Sequence, residues 1–177
     1  MKREIIFKGR KVRLVLVDVK MPGGRVAPRE LVEHPGAVVV LPLFDDGRVL
    51  LEDHYRFAVG GNLIEAPAGT LEPGEDPAEC ARRELAEETG LVAGELVHLG
   101  DFYSSPGVLT ELMHAYLARR LTRGPRQLEE DELLEPLEIT LDEAIDWTAS
   151  GKIRDAKTIA VLFLARDYLR KPRSARQ

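Results

Sequence analysis

Residues 76–90, Asp-Pro-Ala-Glu-Cys-Ala-Arg-Arg-Glu-Leu-Ala-Glu-Glu-Thr-Gly, constrain the fold more than any other stretch, because they commit the chain to one helix with a fixed acidic face. Asp76 is a good N-cap, Pro77 fits the first turn, and Glu79 completes a capping-box pattern. Gly90 supplies the stop. Ala78, Ala81 and Leu85 give a narrow apolar stripe whose small alanines let the helix lie close to a sheet. On the same helix Glu84, Glu87 and Glu88 stand at i, i+3 and i+4 and share a face. Like charges so placed repel by roughly 0.2–0.5 kcal/mol per pair, a penalty that a bound cation removes. Hard oxygen donors select magnesium or manganese over zinc, and such ions keep positions open for water and substrate phosphates. Arg83, one turn before Glu87, is placed to hold a carboxylate by a forked pair of hydrogen bonds. Taken alone, the helix also fits a solvated acidic face with ordinary ion pairs. The metal reading points to an enzyme acting on a phosphate compound.

The pattern extends beyond the helix. Gly69, Glu75 and then Arg83-Glu84-Leu85-x-Glu87-Glu88-x-Gly90-Leu91 resembles the Nudix box at every defining position, a far more specific signal than a lone glycine-rich loop. The resemblance implies a hydrolase of nucleoside diphosphates linked to another group, with the box forming a loop, helix and loop. It implies that Glu84, Glu87 and Glu88 bind Mg2+, with Mn2+ or another divalent cation as alternatives, and that Arg83 supports them. Ala68, immediately before the box, joins the metal group. Glu75 either braces the loop or reaches a metal through water.

Outside the box, Glu65-Ala66-Pro67-Ala68-Gly69 and Ser104-Ser105-Pro106-Gly107 resemble the ADP-ribose pyrophosphatase branch of that family. The branch carries a proline about fifteen residues beyond the box, where Pro106 stands; Pro106-Gly107 is also a good turn pair whatever the substrate. Arg56 occupies the place of a substrate-contacting arginine at a strand end, where a guanidinium grips phosphate or stacks on a base. Tyr55 or Phe57 adds a stacking face or belongs to the core. Glu65, Pro106, Gly107 and Glu111 complete the implied substrate group, Glu111 near the terminal ribose or simply on the surface. In the run Glu129-Glu130-Asp131-Glu132, Glu130 is the candidate base and Glu132 an extra metal ligand; a one-position shift exchanges them, and a plain charged loop is the alternative. The implied reaction is hydrolysis of ADP-ribose to AMP and ribose 5-phosphate. GDP-mannose, a dinucleoside polyphosphate, NADH, FAD or coenzyme A remain alternative substrates, and a non-catalytic ADP-ribose sensor is the alternative class. The N-terminal strands resemble the region through which these enzymes dimerise, so a homodimer is implied.

The 177 residues suffice for a single core and are short for two. The longest apolar stretch, around Ala37 to Phe44, is too short to cross a membrane and is interrupted by Pro42. The first eight residues lack the features of a secretory signal, and a single cysteine, Cys80, fits a reducing cytoplasm. A cytoplasmic protein is expected. His34, His54, His98 and His114 read as scattered, with no zinc spacing. The net charge of −5 argues against broad nucleic-acid binding. Strands are expected at Val12 to Val19, Arg29 to Glu33, Ala37 to Leu43, Arg48 to His54, Leu63 to Ala66, Leu96 to Tyr103 and Leu112 to Leu117. Two later helices follow, Leu141 to Ser150 behind a Thr140 cap and Thr158 to Leu169 behind Asp155. Interleaved strands and helices indicate a layered α/β domain. The resemblance specifies an α/β/α Nudix sandwich with a mixed sheet and N-terminal antiparallel strands. The expected division is 1–35 for the dimerising strands, 36–170 for the hydrolase domain and 171–177 for a flexible tail.

Overall fold

A computed structural model describes residues 2–127 and 133–172. In chain order the elements are β1 (Arg3–Lys8), β2 (Arg13–Lys20), β3 (Val26–Glu33), β4 (Ala37–Pro42), β5 (Arg48–Arg56), β6 (Gly61–Glu65), β7 (Ala68–Thr70), α1 (Pro77–Thr89), β8 (Leu91–Tyr103), β9 (Leu112–Arg123), β10 (Leu134–Thr140), α2 (Leu141–Ala149) and α3 (Ala156–Arg170). The first three strands make an antiparallel sheet in the order β1-β2-β3. A four-stranded mixed sheet, β7-β4-β9-β8, holds the one parallel pair, β4 with β9. Strands β10-β5-β6 form a third, antiparallel sheet.

Strand β4 explains the layering. All six of its residues are buried, as expected of a strand covered on both faces, and its side chains alternate between two cores. Val38 and Val40 pack with Cys80, Ala81 and Leu85 of α1. Val39 and Leu41 pack with Ala144 of α2 and Val161, Leu162 and Ala165 of α3. Helices therefore cover both sheet faces, and the α/β/α sandwich is the observed fold. No helix among the described residues is long and apolar enough to cross a membrane.

Three strands were not anticipated: β1, β10 and the three-residue β7, which follows the expected strand ending at Ala66. Strand β1 lies wholly exposed, so no buried face marks it in the sequence. Strand β10 carries Glu135, Pro136 and Glu138 and sits at a sheet edge, where a proline is tolerated because one side makes no ladder hydrogen bonds. The N-terminal sheet is stitched to the β8–β9 loop: the Val32 amide donates to the Val108 carbonyl at 2.8 Å, and the Thr110 amide donates to the Val32 carbonyl at 3.0 Å. That stitch carries the β1–β2 turn toward the box.

Candidate active site

Helix α1 is fixed at both ends by the residues that signal it. The Asp76 side chain accepts from the Ala78 and Glu79 amides at 2.9 and 3.3 Å. Gly90 closes the helix in the left-handed region at φ 69°, and a β-carbon there would lie 2.8 Å from the Gly124 carbonyl. Glycine is thus required both for conformation and for space. The helix buries Glu84 and Glu88 and leaves Glu87 half-exposed. On β7, a β-carbon at Gly69 would fall 1.8 Å from the Glu84 carboxyl carbon, so the Glu84 side chain lies flat against that backbone. Glu88 accepts from the Ala68 amide at 2.9 Å.

Arg83 knits the carboxylates together. Its Nε and Nη2 fork onto Glu75 at 2.9 and 3.0 Å, while Nη1 reaches Glu84 at 2.7 Å and Glu87 at 3.0 Å. The fork goes to Glu75, not to the carboxylate one turn on, because Glu75 is held in place by accepting the Glu72 amide at 2.9 Å. Glu75 thereby braces the loop, and its hydrogen bonds from Arg83 hold its carboxyl down at about 2. Cys80 is fully buried beneath this cluster, where burial pushes its thiol up to about 12. Glu75, Glu84, Glu87 and Glu88 bring four carboxylates together around the Arg83 guanidinium, with the Arg56 charge reaching Glu88. An all-oxygen donor set with this surplus of negative charge fits a hard divalent cation.

A cleft of about 1070 Å³ opens over this cluster. Ala68, Gly69, Arg83, Glu84 and Glu88 line it together with Arg56, Lys157, Glu111 and four basic residues of the β1–β2 turn region, Lys8, Arg10, Lys11 and Arg13. Arg56 does not stand alone: its Nε and Nη2 fork onto Glu65 at 2.9 and 2.7 Å. Glu65 is 2% exposed and also accepts from Lys157 Nζ, which pairs in turn with Asp155 at 3.0 Å. Burial works to raise the Glu65 carboxyl, but the bonds from Arg56 and Lys157 outweigh it and hold the group at about 2. The structure places Glu65 behind Arg56 instead of at the cleft surface. The first turn of α3 anchors this arrangement: Thr158 Oγ1 accepts from the Ala66 amide at 2.8 Å and donates to Asp155 at 2.6 Å.

The remaining expected residues fall into three places. Glu111 lines the cleft with its carboxylate 3.4 Å from His34 Nδ1, and burial lowers the pKa of that imidazole. Pro106 and Gly107 form an exposed turn, closed by the Val108 and Leu109 amides donating to Ser105. They do not line the cleft; the loop they shape delivers Ser104 and Glu111 to it. Tyr55 and Phe57 meet edge to face at 5.2 Å and both line the cleft, Phe57 with 76% of its surface exposed. Glu130 and Glu132 lie outside the described residues. Their flanks are fixed: the Gln127 amide donates to the Glu87 carbonyl at 3.0 Å, and the Tyr55 amide to the Leu133 carbonyl at 2.9 Å.

Residues 33–162 match the family described as NUDIX domain. The chain belongs to the Nudix family. An ADP-ribose pyrophosphatase of Bacillus subtilis (strain 168) is 42% identical over 158 residues, covering 88% of this chain and 85% of the relative. A methanol dehydrogenase activator of Bacillus methanolicus is 42% identical over 166 residues, covering 92% and 90%. A crystal structure of an ADP compounds hydrolase superposes with a TM-score of 0.85 at 24% identity, over 100% of this chain and 95% of that one, and so shares the fold.

This Nudix protein holds cleft residues that its motifs did not disclose. Lys157 follows Asp155, whose capping role accounts for that stretch without any site. His34 precedes β4 with no pattern around it. The four basic residues between Lys8 and Arg13 were a legible charge cluster, but nothing in the sequence tied them to the box. One expectation is corrected away from the cleft: the histidines are not all scattered, because His98 and His114 meet on Asp101.

Proposed function

We propose that this Nudix protein hydrolyses the diphosphate bond of ADP-ribose to give AMP and ribose 5-phosphate. The observation that carries the reading is a cleft in which the box carboxylates Glu84 and Glu88 stand beside Arg56, Lys157 and a basic turn. Such a cleft suits a diphosphate flanked by two organic groups, and the likeness to the Bacillus subtilis ADP-ribose pyrophosphatase supports ADP-ribose over other nucleoside diphosphate derivatives. Nudix hydrolases use divalent cations. Here the ion is Mg2+, with Mn2+ as substitute, held by Glu84, Glu87 and Glu88 with the Ala68 backbone. When bound, it supplies Lewis acidity toward the diphosphate oxygens and the attacking water.

The chain's own groups do the rest. Arg83 fixes the rotamers of Glu84 and Glu87 before any ion arrives, which lowers the ordering cost of binding it. Glu65 and Lys157 present Arg56 in one orientation, so its guanidinium meets a phosphate oxygen without searching. Glu130 takes the proton of the water and Glu132 adds a ligand; the anchoring of the flanking residues to Glu87 and Tyr55 supports both roles. Pro106 and Gly107 hold the loop that offers Glu111 to the terminal ribose. Residues 1–35 serve as the dimerising region of a cytoplasmic homodimer, 36–170 as the hydrolase domain and 171–177 as a tail.

Chromatographic product analysis with ADP-ribose, GDP-mannose, NADH, FAD, coenzyme A and a dinucleoside polyphosphate, each with magnesium and with chelator, tests the reading. Fastest magnesium-dependent turnover is expected on ADP-ribose. Faster turnover of another compound overturns the substrate and keeps the chemistry, whereas binding without turnover overturns the hydrolase.

A further inference from the structure

Strands β8 and β9 carry a second cluster of metal-ligating side chains, distinct from the box. His98 Nε2 lies 2.7 Å from Asp101 Oδ1, and His114 Nδ1 lies 2.8 Å from the same oxygen. One ligand atom from each of the three residues lies within 4.8 Å of the other two. In a regular strand, residues three apart point to opposite faces, so His98 and Asp101 should not meet. A β-bulge brings them together. His98 pairs with Tyr116 and Asp101 with His114, while the register slips between His98 and Gly100, where Gly100 takes φ 146°. The extra residue turns His98 onto the face of Asp101, and the cross-strand partner His114 completes the set. Re-aiming a side chain is a recurrent use of such bulges.

We propose that His98, Asp101 and His114 form a binding site for a zinc-type divalent cation. Two imidazoles and one carboxylate are borderline donors that suit zinc, nickel or copper, in contrast to the all-carboxylate box that suits magnesium. His98 and Asp101 are about half-exposed and His114 is 17% exposed, so the ion reaches the site without crossing the core and keeps an open position for water. Tyr116 shares this face, its ring 5.3 Å from that of His98, and the charges of Asp101 and Asp76 both act on the Tyr116 hydroxyl. The Asp101–His114 pair lies two residues short of the Tyr103–Leu112 pair that ends the ladder. A bound ion clamps β8 to β9 at the root of the loop that delivers Ser104 and Glu111 to the cleft.

The test is zinc titration of the whole protein against a chromophoric competitor, in excess magnesium so that the box is occupied. Even groups that merely orient a metal ligand are worth about 10- to 100-fold in affinity, so His98→Ala and His114→Ala are each expected to weaken the tight zinc event at least about tenfold. Glu87→Gln, at the box, is expected to leave it unchanged. Zinc should raise the melting temperature of the wild type and not of the His98→Ala/His114→Ala variant, whose far-ultraviolet circular dichroism confirms folding. X-ray absorption of the zinc-loaded wild type should show two imidazole ligands. Equal zinc affinity in wild type and the histidine variants, or loss of zinc binding in Glu87→Gln alone, overturns the proposal.

Discussion

At Gly69 a β-carbon would fall 1.8 Å from the Glu84 carboxyl carbon, so alanine there pushes that carboxylate off the β7 backbone. The Gly69→Ala variant is expected to stay folded, since the displaced group is the end of a side chain, and to require a higher magnesium concentration for half-maximal activity. Unchanged magnesium dependence would show that the position of Glu84 does not matter to the ion. This close approach was legible as a glycine at a defined box position, but its partner was not. The sequence places Glu84 one to three residues from Arg83 and Glu87; only the fold lays it across Gly69, fifteen residues earlier. Arg83 is a similar case. Its spacing pointed to Glu87, whereas the loop ending at Glu75 captures the fork, because loop geometry has no period from which a register can be read.

Among the elements, α1 was readable to within its caps because capping, period and stop all agree at Asp76, the alanine stripe and Gly90. Strand β10 was not, since Glu135, Pro136 and Glu138 break Leu134, Leu137 and Ile139 into isolated apolar residues. The link between α3 and β6 was equally hidden: it joins Glu65 to Lys157 and Asp155, which lie far from it in sequence. That link carries a pH dependence. The Glu65 pKa falls from an ordinary 4.5 to about 2 on folding, so its ion pairs contribute stability that is fully present above about 4.5 and is lost as pH falls through about 2. Glu75, held at about 2 by Arg83, adds to the same window. Urea midpoints measured from pH 7 to pH 2 should drop in this window for the wild type and drop less for Glu65→Gln. That variant should also start from lower stability at pH 7, because Arg56 and Lys157 lose their shared partner. Identical pH slopes would mean that Glu65 is not held by these cations.

For the whole molecule, the layered fold followed from the alternation of strands and helices, while the proposed dimer rests on an exposed sheet. Ile5, Ile6 and Phe7 of β1 are 47%, 55% and 60% exposed, and β1 is an edge strand. An apolar edge of this kind is a liability that pairing with a second copy removes. Sedimentation is therefore expected to give a dimer for the wild type and a monomer for Ile6→Asp; a wild-type monomer would remove β1 from any interface. The same sheet brings Lys8, Arg10, Lys11 and Arg13 to the cleft, so the proposed dimer interface and the cleft share one turn. Whether the carboxylates of α1 hold the ion that drives diphosphate hydrolysis is read from AMP release from ADP-ribose across a magnesium titration, with wild type and Glu87→Gln side by side. Glu87 is half-exposed, so the variant should melt as the wild type does. Its maximal turnover should fall on the order of a hundredfold or more, roughly 3 kcal/mol of transition-state stabilisation. Wild-type turnover by Glu87→Gln at saturating magnesium would show that Glu87 holds no ion that hydrolysis needs.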